Sequence, residues 1–428
     1  MSRGFRERTM ALIRPILAGL LLLVPGAAGA ETFRVMPKGG PTIAEAIAAA
    51  APGDTVRLGP GVHAGPVLID RPGITLTGDG GAIVDGGGKG NVIKVTAPDV
   101  TVRGLTIRNS GRSLQKQDSG VFVTPEGDRA QIVGNHVVDD LIGVYLSGPE
   151  EAEVRSNRID GVRDMRLNER GNGVQLWNTP GSVVEGNSVR WGRDGIFVTT
   201  SRNNVFRGNE FHDVRFAIHY MYTNDSEVSG NVSEGNHVGY ALMYSKGLRV
   251  SGNLSRGDRD HGIMLNYAND SSITGNRVID GEAKCVFIYN SNTNVFQGNL
   301  FKGCAIGVHF TAGSERNEIA GNAFIGNRTQ VKYVGTRYLD WSVGGRGNYW
   351  SDNPAFDLNG DGIADSTYRP NDLIDQVVWA HPMAKMLLNA PGIQVVRWAQ
   401  SRFPALHPGG VSDSAPLMAP PAGSGTEG

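Results

Sequence analysis

Of the 428 residues, 60 are Gly and only 19% are charged, a composition too rich in turn formers and too poor in charge for a coiled coil or a helical bundle. Basic residues number 41 against 42 acidic ones, a formal charge of −1, so no global field holds nucleic acid or an anionic membrane.

At the start of the chain, Arg3, Arg6, Arg8 and Arg14 precede an apolar run from Ile16 to Val24 that leads to Ala28-Gly29-Ala30. This pattern predicts a secretory signal peptide over residues 1–30, cut before Glu31, because the run is about half the roughly 20 residues of a membrane span. No twin-Arg pair precedes it and no Cys follows it, so the expected product is an exported protein without a lipid anchor. Only Cys285 and Cys304 remain, too few for a disulfide framework, and their spacing leaves open whether they pair.

Thr42-Ile43-Ala44-Glu45 is a capping box that opens an Ala-rich stretch to Ala51, and Pro52-Gly53-Asp54 ends it. The short helix is expected to cover the N-terminal opening of the fold, with residues 31–111 forming that cap and the first irregular coils.

Residues 112–346 carry a repeat. Asn follows Gly or Ser at 135, 157, 187, 209, 231, 253, 276, 299 and 322, at intervals of 22 or 23 residues except for one of 30. Aligned on that Asn, the units share four apolar columns. One holds Ile132, Val154, Val184 and Phe206; the second holds Val137, Ile159, Val189 and Phe211 but is interrupted by Ser233 and Ser255. The third and fourth begin at Val121 and Val123. Period-two alternation around each column marks short strands with one buried face. Such a unit, with Gly-Asn at a corner, is one coil of an all-β, right-handed parallel β-helix whose Asn side chains stack about 4.8 Å apart. Two coils carry insertions, 111–118 and 163–170, that precede the same column and so leave the stack at one edge.

On the outward positions around the fourth column, three successive coils present His219 and Met221, then Ala241 and Met243, then Met264 and Asn266. Thioethers with an imidazole are the donors that select Cu(I). The same methionines, with Phe197, Phe287 and Tyr289, equally describe an adaptable protein-binding surface. His381, Met383 and Met386 form a second cluster, expected as a helical turn packing its Met residues on the cap. Asp357, Asn359, Asp361 and Asp365 hold ligand positions of an EF-type loop with Gly362 at the sharp turn, which suggests structural calcium, although Tyr368 stands where the bidentate acid belongs. Asp194, Asp213, Asp258, Asp260 and His261 lie in turn segments and match no polysaccharide-cleaving signature, so no catalytic set is assigned. A polysaccharide lyase or epimerase is the alternative that the fold alone suggests.

The segment Gly347-Asn348-Tyr349-Trp350-Ser351-Asp352, the Asp-rich run after it and Tyr368-Arg369-Pro370 resemble the NosD family. The tail adds Val396-Arg397-Trp398-Ala399, Phe403-Pro404 and Pro408-Gly409-Gly410-Val411 ahead of Asp413-Ser414, so that the resemblance covers essentially the whole mature chain. It implies a periplasmic, non-enzymatic accessory factor for nitrous oxide reductase maturation, delivering copper alongside an ABC transporter membrane subunit and a copper chaperone lipoprotein. A passive docking scaffold with a sulfur cargo is the other role it allows. Residues 347–390 are then expected to cap the C-terminal end. Residues 391–428 are expected as a docking arm, a short helix from Ile393 to Phe403 broken by Pro404 and Pro408. Arg397, Trp398, Phe403, Leu417 and Met418 are its expected contacts with the transporter.

Overall fold

The computed structural model describes residues 29–403 and 409–422, so the signal-peptide assignment lies almost wholly outside the described residues. The repeat winds into a right-handed solenoid of three parallel sheets with 13, 12 and 13 strands. Equivalent columns pair in register from coil to coil: Val184 with Phe206 and Val228, Val189 with Phe211 and Ser233, and Ile196 with Ile218 and Tyr240. Apart from Ser233 and Ser255, all four columns point inward as apolar side chains, and each fully buried Val, Leu, Ile or Phe contributes about 1.5–3 kcal/mol. Tyr240 explains the two serines, because its hydroxyl reaches the carbonyls of Asn231 and Leu254, each 2.8 Å away, in the strands where small residues leave room for the ring.

The Asn side chains form the expected ladder. Each backbone N–H and each Nδ2 donates to Oδ1 of the Asn one coil on, from Asn135 through Asn253 to Asn322 and finally Asn348. Asn348 extends the ladder by one coil beyond the repeat read from spacing. Cys285 and Cys304 are joined in a disulfide across a 5.7 Å Cα separation, within the otherwise apolar core.

At the N-terminal end, helix α1 (Ile43–Ala49) has its capping box in place and buries Ile43, Ala46 and Ile47 over the first coil. At the other end, Trp350 stacks on Phe324 at 4.3 Å and meets Tyr368 at 4.8 Å, closing the core with rings. Beyond this closure lie α2 (Leu373–Ala380), a 3-10 turn (Pro382–Leu387) and α3 (Pro391–Arg402).

The C-terminal region departs from the expected single arm. After α3 the chain returns: Gly410–Ser412 pairs in parallel with Tyr338–Asp340, and Asp413 seals the Asn ladder. Leu417 is buried and bridges Tyr349 and Ile363, so it belongs to the closure and offers no contact to a partner. The physical reason is the exposed strand edge that a solenoid leaves at its last coil, which this segment covers.

Candidate metal and docking face

The 12-stranded sheet presents the predicted donors. His219 lies on the strand Phe216–Asn224, Met243 on Val238–Met243 and Met264 on His261–Asn266. The register sets His219, Ala241 and Met264 side by side in one outward row, and Met221, Met243 and Asn266 in the next. Adjacent strands lie about 4.8 Å apart, so Ala241 is the floor between these larger side chains. Although it faces outward, Ala241 is 0% exposed because its neighbours close over it. All three methionines remain partly exposed.

His219 is held from behind. Its Nδ1 lies 2.9 Å from Oδ2 of Asp194, and its ring packs edge to face on Phe216 at 4.9 Å and against Phe197 at 5.0 Å. Asp194 also accepts two bonds from Arg215, at 2.8 and 2.7 Å. Burial alone would raise the Asp194 carboxyl, but the bonds from His219 and Arg215 outweigh it and hold the carboxyl below its ordinary range. A carboxylate on Nδ1 places the proton there and leaves Nε2 as the lone-pair donor, the arrangement found behind metal-ligating histidines. The donor set of one such imidazole and up to three thioethers fits Cu(I). Among the described residues no group of three or more His, Cys, Asp or Glu forms a cluster able to hold a metal, so any site on this face depends on its methionines.

Beside the donors runs a feature that sequence reasoning missed. Tyr222, Tyr244 and Tyr267 stack at 5.2 Å intervals, and Tyr289 meets the end of the row edge-on at 5.9 Å. The first three stand one residue past the outward row and take positive φ, near 50°, which turns their rings out of the strand alternation. Their recurrence at the coil spacing was the available signal. Phe287, the outward neighbour of Met264, sits between His261 and His309 with ring centroids 5.2 and 5.0 Å away. Burial, followed by the charges of Lys284 and Lys332, pushes the His309 imidazole down to about 4.

The other predicted residues are placed differently. Both Asp357 oxygens accept from the amides of Gly360 and Gly362, Asp361 accepts from Ile363 and Asn359, and Asp365 accepts from Leu358. These carboxylates accept from the loop's own amides as Asx turns, and among the described residues no three His, Cys, Asp or Glu side chains are grouped there to hold a metal. Met383 and Met386 occupy the 3-10 turn but point to solvent, 76% and 80% exposed, and do not pack on the cap. Arg397 is tied to Asp372 at 3.0 Å, whereas Trp398, Phe403 and Met418 are exposed. Of the carboxylates considered for catalysis, Asp194 is committed to His219 and Arg215. Asp258 is buried against Ser255 and the Asn236 amide, and burial raises its carboxyl.

A family model described as periplasmic copper-binding protein (NosD) matches residues 155–355, and one for right-handed β-helix regions matches residues 80–224. A Pseudomonas aeruginosa protein described as a probable ABC transporter binding protein NosD is 43% identical over 422 residues, covering 95% of this chain and 96% of that one. A Stutzerimonas stutzeri protein of the same description is 42% identical over 376 residues, covering 85% and 86%. The catalytic unit of a GH87 α-1,3-glucanase from Streptomyces thermodiastaticus superposes with a TM-score of 0.51 at 15% identity, over 66% of this chain and 67% of that one, a likeness of fold alone.

Proposed function

The chain belongs to the NosD family, and from that premise we propose that it delivers or guides Cu(I) to nitrous oxide reductase during maturation, beside an ABC transporter membrane subunit and a copper chaperone lipoprotein. The periplasm is where it works, in keeping with the family model's description as periplasmic and copper-binding. The observation that carries this reading is His219, oriented by Asp194, among Met221, Met243 and Met264 around Ala241.

The chemistry suits a site that holds copper briefly. Thioethers are neutral, soft and weak donors, so a Cu(I) ion among them keeps its charge and yields to a partner's ligands one bond at a time. Partial exposure of the three methionines lets an incoming ligand reach the ion, and the adjoining tyrosine stack offers a donor or acceptor protein a rigid aromatic surface. Trp398, Phe403 and Met418 are the proposed transporter contacts. No catalytic step is assigned: Asp194 is spent on His219 and Arg215, and Asp258 on Ser255 and the Asn236 amide.

An anaerobic Cu(I) titration against a chromophoric chelator tests the site. The parent protein is expected to withdraw close to one equivalent from the chelator. A variant with Met221→Leu, Met243→Leu and Met264→Leu, substitutions that conserve volume and so preserve the fold, is expected to withdraw none. Equal behaviour of the two proteins would remove the methionines from the site.

A further inference from the structure

We propose that the cleft beneath the loop 163–170 is a docking site for a carboxylate-rich segment of a partner protein. The solenoid does not require this loop. It enters where the Asn interval lengthens from 22 to 30 residues, and Val144 and Val174 on either side of it still pair in register. What the loop adds is an open cleft of about 470 Å³, in which Arg163, Arg170, Arg259 and Trp191 face a single acid, Asp213. The loop's own Asp164 and Glu169 are exposed and do not line it.

The cations outnumber the one acid that lines the cleft. Arg170 donates to the carbonyls of Met165 and Arg163, at 2.9 and 2.8 Å, and so fixes the loop. The Arg163 guanidinium lies 5.2 Å over Trp191, a ring that also carries Arg190 at 4.0 Å, and Arg190 is committed to Asp160. Arg163 and Arg259 make no salt bridge among the described residues. Forked guanidinium groups in this state are matched by carboxylates. The coils bearing Arg163 and Arg259 are four steps apart, about 19 Å at about 4.8 Å per step, and although Arg163 leans one coil toward Arg259 over Trp191, a run of several acids matches a cleft that crosses these coils better than one small anion does.

The test is fluorescence anisotropy of a labelled hexaglutamate peptide titrated with the purified protein. Saturable binding that weakens with added salt is expected, with about a 10-fold loss in Arg163→Ala/Arg259→Ala. Both residues are exposed, and an unchanged thermal transition checks that the variant is folded. Removing the same charge elsewhere, in Lys38→Ala/Arg103→Ala, is expected to leave binding as it was. The proposal is overturned by absence of binding in the parent, by an equal loss in the control, by citrate displacing the peptide mole for mole, or by a single-stranded oligonucleotide binding as tightly.

Discussion

Replacing Asn231 by Ala is expected to destabilise the middle of the solenoid by about 2 kcal/mol, within the roughly 1–3 kcal/mol of a buried donor stripped of its partner. Asn231 Oδ1 accepts from the backbone N–H and Nδ2 of Asn209, both at 3.0 Å, and its own Nδ2 donates to the Phe206 carbonyl and Asn253 Oδ1, both at 2.9 Å. Two of these partners have an alternative: Asn209 Nδ2 keeps the Val184 carbonyl, and Asn253 Oδ1 keeps the residue-231 amide. The Phe206 carbonyl stays in the ladder with the strand at Val228, whereas the Asn209 N–H is left without a partner and with no water in reach, since Asn209 is 0% exposed. Because each coil touches only its neighbours, the damage is local. Amide exchange is expected to quicken in the coils around 209–253 while the coils under α1 stay protected. Asn168→Ala, at an exposed site in the inserted loop, is the reference and should change stability by less than about 0.5 kcal/mol. A ladder variant indistinguishable from that reference would mean that the stacked amides contribute nothing beyond the apolar columns.

Asp413→Ala is expected to release the C-terminal closure, at a cost of about 3–5 kcal/mol from the buried donors it leaves unpaired. The carboxylate is 0% exposed and accepts from the Asn348 amide at 2.7 Å, from Trp350 Nε1 at 2.8 Å and from the Ala415 amide at 3.1 Å. Burial raises its carboxyl despite these bonds. Ala supplies no acceptor, and Asn supplies one oxygen while turning an amide NH₂ toward other donors, so only partial rescue is expected from Asp413→Asn. Once the segment lifts, the strand edge at Tyr349–Trp350 is open to pairing with another molecule. Limited proteolysis is expected to cut within 409–418 in the Ala variant and not in the parent, and light scattering should show self-association. Parent-like resistance to protease would show that Leu417 and the strand pairing hold the closure without the carboxylate.

The coil architecture was legible because a solenoid imposes the same environment on the same position of every coil. Ile132, Val154, Val184 and Phe206 report one inward column four times over, and the two serines that break another column are answered by Tyr240. Contacts outside that periodicity were not legible. Asp413 reaches Asn348 across 65 residues with no repeat to relate them, and Leu417 in a tail reads as readily as a partner contact as a lid on the core. The Cys285–Cys304 bond depends on how two corners meet in space. At the donor face the outward rows were readable in full. The role of Asp194 was hidden because an Asp in a turn is ordinary until the strand beside it is known to carry His219.

The central claim is that copper passes across the face formed by His219, Met221, Met243 and Met264 on its way to nitrous oxide reductase. It is tested most directly by the copper content of the reductase isolated from cells in which this chain is replaced by the Met221→Leu, Met243→Leu, Met264→Leu variant. The account predicts reductase as poor in copper as that from cells lacking the chain altogether, with the variant present at parental levels. Reductase carrying its full copper complement in those cells would contradict it.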